Sequence, residues 1–482
     1  MSSHEQRSRF EQTDDVVVMK FGGTSVEDAP AIRRLIAIVQ SRRNTQPVLV
    51  VSALARVTDQ LLEAGQAAAN GRLGAALAIA RDIYVRHEFI ADALTDGARN
   101  FALDRELRAE FQALEALLHS LEAARHLEPR SQDALLGFGE QLSSRLVSAA
   151  LLEAGMHAAH VNAYKCVVTD ARHGQASPLW EETNQRLQEE LLPLMQERKV
   201  PVLGGFIGST ADGLPTTLGR GGSDFSASIV GAALGASRVE IWTDVDGVMT
   251  TDPKLCPEAR VIRKMSFEEA AELAHYGAKV LHPATIAPAM RANIPVYVLN
   301  SRNPRSEGTE IVGRTRSVNG VSAITAKRQV AAVEVEPHRA MDSQVLSAIY
   351  DAFDQHACPV DVMGTSVGRL SMLVGATNAL PMIASALKDV ASVRWDNHKA
   401  LVCLVGENLR RQADVASRIF GAVTDLDIRV VCQGASERTL TFLVEESKVE
   451  EAVRRLHRVF FPVQREAASD WGGISAAFCQ AG

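Results

Sequence analysis

Short apolar runs alternate with longer segments of helical periodicity over the first 300 residues of this chain. This alternation predicts βαβ units and an α/β fold with a mostly parallel sheet flanked by helices. Ligands of such sheets bind beyond the carboxyl ends of the strands. The predicted strands are 16–21, 47–54, 157–163, 200–208, 238–244 and 295–299, and the helical segments between them include 31–42, 58–127, 133–153, 181–198, 225–235 and 266–277.

The pattern changes near residue 300. Residues 301–313 are rich in Asn, Pro, Arg, Ser and Gly and are predicted to be a linker. Beyond it a strand–helix–strand–strand–helix order occurs twice, at about 330–395 and 396–465, which predicts two small α+β modules. A single α+β domain with coincidental internal similarity is the alternative. We therefore predict a flexible segment at 1–15, a catalytic domain at 16–313 and a tandem regulatory domain at 314–482.

Charge and cysteine usage exclude several classes of protein. The net charge of −7 argues against general binding to nucleic acids or anionic membranes. The six cysteines include no C-x-x-C pair, so neither a zinc site nor a redox motif is indicated, and reduced thiols in a cytoplasmic protein are expected. The polar N-terminus has no secretory h-region, and the uncharged run 225–237 is too short to span a bilayer.

A glycine-rich stretch at 216–224 reads Thr-Thr-Leu-Gly-Arg-Gly-Gly-Ser-Asp and lies between a predicted strand and a predicted helix. This arrangement directs backbone N–H groups and a helix N-terminus towards an anion. Arg220 adds a planar donor for a carboxylate or phosphate, and Ser223 or Asp224 is a candidate N-cap. A tight turn followed by a capped helix explains the same residues without a ligand.

A second glycine-rich motif, Lys-Phe-Gly-Gly-Thr-Ser at 20–25, closes the first predicted strand. Its glycines allow a phosphate to approach the backbone, and Lys20 supplies a positive charge. The chain contains no G-x-x-x-x-G-K-[ST] sequence, so this is not a Walker A loop. A lysine that extends from a buried strand to solvent is the structural alternative.

Three further polar stretches follow strands or border helices. The segment 242–254 contains Asp244, Asp246 and Asp252, which suit either a ribose contact or an ordinary turn. The segment 277–283 carries Lys279 as a second candidate cation, with His282 expected to be structural. The segment 137–144 is predicted to open a helix, with the carboxylate of Glu140 in its first turn.

These motifs together, in this order, resemble those of the aspartate kinases, a family with the amino-acid-kinase fold. The resemblance extends from about residue 16 to the C-terminus and includes C-terminal tandem ACT domains, which Gln-Gly-Ala-Ser at 433–436 and the segment 360–366 resemble. It implies transfer of the ATP γ-phosphate to the β-carboxylate of L-aspartate, the first step towards lysine, threonine and methionine. ATP and Mg²⁺, held mainly by the ATP phosphates, are the implied cofactors, with no protein metal site.

The resemblance also assigns site residues. The catalytic residues would be Lys20, Asp224, which orients that lysine, and Lys279. ATP would contact Lys20, Phe21, Gly22, Gly23, Thr243, Asp244, Met249, Lys254, Lys279 and Val280. Aspartate would contact Ser52, Thr58, Glu140, Phe206, Arg220, Gly221, Gly222 and Ser223, with Arg220 on its α-carboxylate and Glu140 on its ammonium group.

An amino-acid effector is expected at the ACT domains, at Ser343, Val345, Leu346, Val360, Asp361 and Ser366. Two departures leave its identity open between lysine, threonine, the pair of them, or none. Val367 stands where lysine-inhibited members usually have an acidic residue, and the loop 341–344 lacks the usual glycine. Met249 replaces a tyrosine common in the nucleotide loop. A homodimer or larger assembly is implied because ACT units usually pair across subunits.

Two alternatives remain. A sister kinase of the same fold would phosphorylate glutamate, acetylglutamate, carbamate or a nucleotide, although the Glu140 and Arg220 motifs and the ACT tail disfavour it. An amino-acid sensor with an inactive kinase domain is the alternative from another class. A bifunctional kinase–dehydrogenase is not expected for a chain of 482 residues.

Overall fold

A computed structural model describes residues 15–278, 281, 283–315, 320–366, 368–428, 431–433 and 436–462. The N-terminal part contains eleven strands and ten helices within that description. The strands are β1 (Val16–Phe21), β2 (Gln46–Val51), β3 (Ala158–Val161), β4 (Val168–Thr169), β5 (Val200–Gly204), β6 (Ile207–Thr210), β7 (Pro215–Thr217), β8 (Arg238–Thr243), β9 (Lys264–Ser266), β10 (Val296–Asn300) and β11 (Thr309–Val312). The helices are α1 (Ala29–Ser41), α2 (Val57–Ala69), α3 (Leu73–Leu94), α4 (Gly97–Ala124), α5 (Pro129–Glu153), α6 (Ala163–Cys166), α7 (Trp180–Gln196), α8 (Gly222–Leu234), α9 (Phe267–His275) and α10 (Pro283–Arg291).

The main sheet has the strand order β3-β5-β2-β1-β8-β10-β11-β9, and its first six strands are parallel. Strand β1 lies between β2 and β8, and its apolar side chains are buried on both faces of the sheet, as expected for a central parallel strand. Helices α1–α5 pack on one face and α7–α10 mainly on the other. The predicted α/β class is confirmed, and β1 delivers Lys20 to the carboxyl edge of the sheet.

The prediction that 301–313 is only a linker is wrong in its last part. Residues 309–312 form β11, which pairs antiparallel with β10. Gly308 makes this return possible, because its φ is +68° and a Cβ there would lie 2.2 Å from the carbonyl oxygen of Val298. Thr309 and Ile311 are fully buried, and the residues between and after them are partly exposed, as in a strand with one buried face. The high polar content of the segment hid this alternation of buried and exposed positions in the sequence.

The segment 137–144 does not open a helix. Helix α5 begins at Pro129, which has no N–H to satisfy, and Glu140 lies in its middle rather than in its first turn. Gly137 and Gly139 are interior helix residues because neighbours approach closely. A Cβ on Gly137 would lie 1.9 Å from the Tyr164 hydroxyl, and one on Gly139 2.6 Å from Cβ of Ala53.

The C-terminal part folds around one antiparallel sheet. Its elements are β12 (Ala323–Pro337), α11 (Ser343–Gln355), β13 (Val360–Ser366), β14 (Arg369–Gly375), α12 (Leu380–Ala386), β15 (Ala391–Val405), α13 (Ala413–Ala422), β16 (Val431–Gln433), β17 (Thr439–Glu445) and α14 (Val449–Phe460). The strand order is β13-β14-β12-β15-β17-β16. Helices α11 and α12 cover one apolar core, and α13 and α14 cover another. We call this part the regulatory domain.

Strands β12 and β15 each run through both halves of this sheet. Residues 330–335 of β12 pair with β14, whereas 323–327 pair with 401–405 of β15, which in turn pair with β17. The second module therefore takes an edge of its sheet from residues that precede the first module in sequence. Among the described residues, none of the helices combines the length and apolar character needed to cross a bilayer.

Candidate active site

A cavity of about 580 Å³ opens at the carboxyl ends of β1, β2 and β5 and at the start of α8. The cavity is lined by the residues that were predicted to bind aspartate and by two of the predicted catalytic residues, Lys20 and Asp224. The lining includes Lys20, Gly23, Ser52, Thr58, Glu140, Phe206, Arg220, Gly221, Gly222, Ser223 and Asp224. Stretches separated by up to about 200 residues in sequence thus meet at one place.

Lys20 and Asp224 form an ion pair within this cavity. The Nζ atom of Lys20 lies 2.7 Å from Oδ1 of Asp224, and both side chains are mostly buried. The backbone beside them is bare: a Cβ on Gly23 would lie 3.0 Å from the Ala53 carbonyl oxygen, so a side chain is disfavoured there. A fixed cation next to exposed backbone is suited to polyphosphate binding.

The turn that carries Arg220 requires glycine on both sides. Gly219 and Gly221 have φ of +76° and +73°, and Gly221 is the N-cap residue of α8. The prediction that Ser223 or Asp224 caps this helix is wrong, since α8 has no side-chain capping bond. Ser223 instead accepts a hydrogen bond from Ser52 at 3.0 Å, and Asp224 pairs with Lys20. The uncapped helix start faces the cavity, which favours an anion there.

Phe206 forms a wall of the cavity in a strained conformation. Its φ is +67°, which is uncommon for a residue with a large side chain. Its N–H donates to Ser226 Oγ at 2.9 Å, and Gly222 packs so closely that a Cβ there would lie 2.7 Å from the Phe206 ring. These contacts hold the ring beside the Arg220 turn.

Glu140 is a buried carboxylate with one free oxygen. Its Oε1 accepts the Ala53 N–H at 3.1 Å, whereas Oε2 has no hydrogen-bond partner, and only 3 % of the residue is exposed. Burial raises the pKa of Glu140 to about 8, although the Ala53 N–H and the charge of Lys20 act in the opposite direction. A ligand ammonium group would satisfy this orphaned acceptor.

The residues assigned to the nucleotide do not all lie in this cavity. Phe21 ends β1 with a fully buried ring stacked on Trp242, and the Gly22 N–H donates to the Trp242 carbonyl at 3.1 Å. Thr243 and Asp244 follow at the adjacent strand end and start a loop, 243–256, that includes Met249 and Lys254. None of these loop residues lines the cavity. Lys279, Val280 and His282 lie outside the described residues.

Two residues near the site were not anticipated. Arg56, with φ of +72° at the start of α2, also lines the cavity, and its position two residues before Thr58 was the available signal. Buried Asp133 accepts bonds from Thr217 Oγ1 at 2.6 Å, Gly174 N at 3.0 Å and His173 Nδ1 at 2.8 Å. Asp133 therefore links β7, the strand that precedes Arg220, to α5. No local sequence pattern indicates this link.

The predicted effector residues lie on two elements of the regulatory domain. Ser343 begins α11, and the side chain of Val345 is fully buried under that helix, with Leu346 partly buried beside it. The others, Val360, Asp361 and Ser366, lie on β13. The carboxylate of Asp361 already pairs with Lys327 at 2.6 Å.

Comparisons with known proteins fit this architecture. The model of the amino acid kinase family matches residues 15–300, and an ACT domain model matches 402–460. The chain is 34% identical to lysine-sensitive aspartokinase 3 of Escherichia coli K12, covering 93% of this chain and 99% of that protein. It is 30% identical to chloroplastic aspartokinase 2 of Arabidopsis thaliana, covering 92% and 84%.

Solved structures give the same result. The E. coli aspartokinase III complex with aspartate and ADP, in the R-state, superposes with a TM-score of 0.79 at 33% identity, covering 93% of this chain and all of that one. The complex of that enzyme with lysine and aspartate, in the T-state, also has a TM-score of 0.79, covering 92% and 99%. The chain therefore belongs to the aspartokinases of the amino acid kinase family.

Proposed function

We propose that this protein transfers the γ-phosphate of ATP to the β-carboxylate of L-aspartate, giving 4-phospho-L-aspartate and ADP. The observation that carries the proposal is the cavity in which Lys20, Arg220 and the orphaned oxygen of Glu140 converge. Lys20 and Arg220 supply two positive charges, and Glu140 supplies one carboxylate. These groups match a phosphoryl donor together with an amino acid that has two carboxylates and one ammonium group. The aspartokinase relatives support the same reaction.

Aspartate recognition follows from the charges. Arg220 would hold the α-carboxylate through two parallel N–H bonds, aided by the N–H groups of Gly221 and Gly222 at the start of α8. Glu140 would accept the α-ammonium group, and the hydroxyls of Ser52, Thr58 and Ser223 would complete the polar wall. The β-carboxylate is then left to face the γ-phosphoryl group that Lys20 is proposed to hold.

Phosphoryl transfer needs little covalent participation by the protein. A β-carboxylate oxygen attacks the γ-phosphorus in line, the bond to the β,γ-bridging oxygen breaks, and ADP leaves; the nucleophile is already ionised, so no general base is required. Lys20, held by Asp224, would neutralise the charge on the γ-phosphoryl oxygens, with Lys279 as the proposed second cation. Phe21, Gly22 and Gly23, with Thr243, Asp244, Met249, Lys254 and Val280, would hold the nucleotide.

Magnesium would accompany ATP rather than occupy a protein cage. Within the described residues there is no group of three His, Cys, Asp or Glu side chains that could hold a metal ion, and Asp224 is engaged by Lys20. Mg²⁺ commonly binds through substrate phosphates and water with few protein ligands. Its contribution would be to reduce the negative charge of the phosphates.

Aspartate-dependent ADP release, measured with a coupled assay, tests the proposal. Aspartate should support turnover, and glutamate, acetylglutamate and carbamate should not. Faster turnover with one of these alternatives would identify a sister kinase. Absence of turnover together with tight binding of lysine or threonine would identify an inactive sensor.

The KM for aspartate is expected to fall as pH rises towards 8. With its pKa near 8, Glu140 is mostly protonated in the empty site at pH 6.5 and must lose that proton to pair with an ammonium group. Each pH unit below 8 should therefore raise the KM by up to about tenfold. Steady-state kinetics at pH 6.5, 7.25 and 8 would measure this slope. Glu140→Gln should remove it, and an equal slope in that variant would contradict the assignment.

Regulation is proposed to act through an amino acid bound near α11 and β13, at Ser343, Val345, Leu346, Val360, Asp361 and Ser366. Asp361 pairs with Lys327 at 2.6 Å, so its carboxylate would have to exchange that partner for the ammonium group of the ligand. Titration with lysine, threonine and methionine would identify the effector.

Homo-oligomerisation through the regulatory domain is supported by β13, an edge strand with Met363 40% exposed. A cytoplasmic location fits the five described cysteines, all free thiols.

A further inference from the structure

The 243–256 loop is attached to the regulatory domain at several points. The carbonyl oxygen of Thr250 accepts the N–H of Ile324, at the start of β12, at 2.8 Å. The hydroxyl of Thr250 lies 2.9 Å from Nε2 of His457 on α14. One turn earlier on that helix, Arg454 donates from Nε to the Leu255 carbonyl at 2.8 Å. The two anchors on α14 enclose the segment that carries Lys254.

The apolar residues at the end of the loop belong to the core of the regulatory domain, whereas Val248 near its start is buried against the main sheet. Leu255 and Cys256 are buried in the same cluster as Ile324, Leu456 and Phe460. The first half of the loop is held by the catalytic domain, through the bond from Val248 N–H to Thr309 Oγ1, whereas its second half buries Leu255 and Cys256 against the regulatory domain and depends on that contact. The position of α14 therefore influences the position of residues 250–256.

The donor and the acceptor of the hydrogen bond between Thr250 and His457 can be assigned from their surroundings. The Thr250 oxygen accepts the Arg260 N–H at 3.0 Å, which leaves the Thr250 proton available for donation to Nε2. Burial, with the nearby charge of Arg260, lowers the pKa of His457, and Glu258 only partly opposes this. The imidazole, 1 % exposed, thus suits the neutral acceptor form.

We propose that His457 and Arg454, on the last described helix of the regulatory domain, are positioning residues for ATP. They act through Thr250 and Leu255 on the loop assigned to the nucleotide, so the inference rests on the proposed function. Within the described residues, no side chain of the regulatory domain lines the aspartate cavity. The contact between the domains should therefore control ATP binding and leave aspartate binding unchanged.

Kinetics of His457→Leu test this inference. The change removes one buried hydrogen bond and leaves the Thr250 hydroxyl proton without its acceptor, which should raise the KM for ATP about fivefold to tenfold. The kcat and the KM for aspartate should stay within twofold. His457→Gln should recover most of the ATP affinity. Thr250→Val should raise the KM for ATP at least as much, because it also removes the acceptor of the Arg260 N–H, and the double variant should be no worse than Thr250→Val alone.

Arg455→Ala is the matched control, because Arg455 lies on the same helix but pairs with Asp425 and Glu451 on the surface. It should leave all three constants unchanged. Equal increases in both KM values, additive effects in the double variant, or an unchanged KM for ATP would each overturn the inference. Calorimetric titration with a non-hydrolysable ATP analogue separates the role of His457 and Arg454 from the proposed reaction. It measures their effect on nucleotide binding even if aspartate-dependent ADP release is absent. Absence of that release would refute only the proposed function.

Discussion

Lys20→Met is expected to lower kcat by about 10²–10³-fold while changing the KM for aspartate by less than about threefold. In the proposed reaction Lys20 faces negative charge that moves on to the leaving oxygen, so its contribution is greatest in the transition state. The side chain is fixed by the end of β1 and by Asp224, 2.7 Å away, and water cannot easily replace it. Steady-state kinetics with both substrates varied would measure the effect.

Two comparisons make this test specific. Asp224→Asn keeps the cation but removes the partner that orients it, and should give a smaller loss of kcat, about tenfold to 10²-fold. Lys199→Met removes an exposed lysine paired with Glu197 and should have no effect. Thermal melting should accompany each assay, because Lys20→Met leaves a mostly buried carboxylate unpaired and should cost about 1–3 kcal/mol of stability. Near-normal kcat in a folded Lys20→Met protein would refute the assigned role.

Arg220→Ala is expected to lower kcat/KM for aspartate by about 10²–10³-fold, with little change in the KM for ATP. Arginine binds a carboxylate with two bonds in a fixed plane, and the glycines on either side of Arg220 allow its backbone to reach the cavity. Arg220→Lys should recover only a small part of the loss, since an ammonium group cannot make the planar pair. Kinetics with aspartate varied at saturating ATP would measure both variants.

Arg99→Ala provides the control for this series, because Arg99 lies on α4 and pairs with Glu153 at the surface. If Arg220→Ala binds aspartate normally, the α-carboxylate must be held elsewhere. Arg56, the second arginine of the cavity, is then the residue to replace.

Much of the site could be predicted because its key residues follow strands. Lys20 ends an apolar run, and Arg220 sits in a glycine-rich stretch before a helix; parallel strands bring such ends to one edge of the sheet. Local pattern places these residues at that edge, and the resemblance to the aspartate kinases assigns them to ATP and aspartate. The same local pattern also gave the α/β class, which the structure and the relatives confirm.

The errors arise where contacts distant in sequence decide the structure. Glu140 lies in the middle of α5 rather than in a first turn, and the glycine before it, Gly139, is required by Ala53, far away in the chain. Gly221 is the N-cap because α8 begins at Gly222, so Ser223 and Asp224 lie within its first turn, where they contact Ser52 and Lys20. Strand β11 was missed because only its pairing with β10 shows that a polar segment can be buried.

The shared strands of the regulatory sheet also affect the order in which the chain can fold. Residues 323–327 leave the ribosome before the whole first module, yet their partners in β15 and the covering helix α14 are made last. At typical rates of synthesis the delay is on the order of ten seconds. During this time the apolar core that buries Leu255 and Cys256 is incomplete. The 243–256 loop of the catalytic domain can therefore reach its final packing only after the regulatory domain has been translated. Truncation within 391–460 should therefore damage both domains.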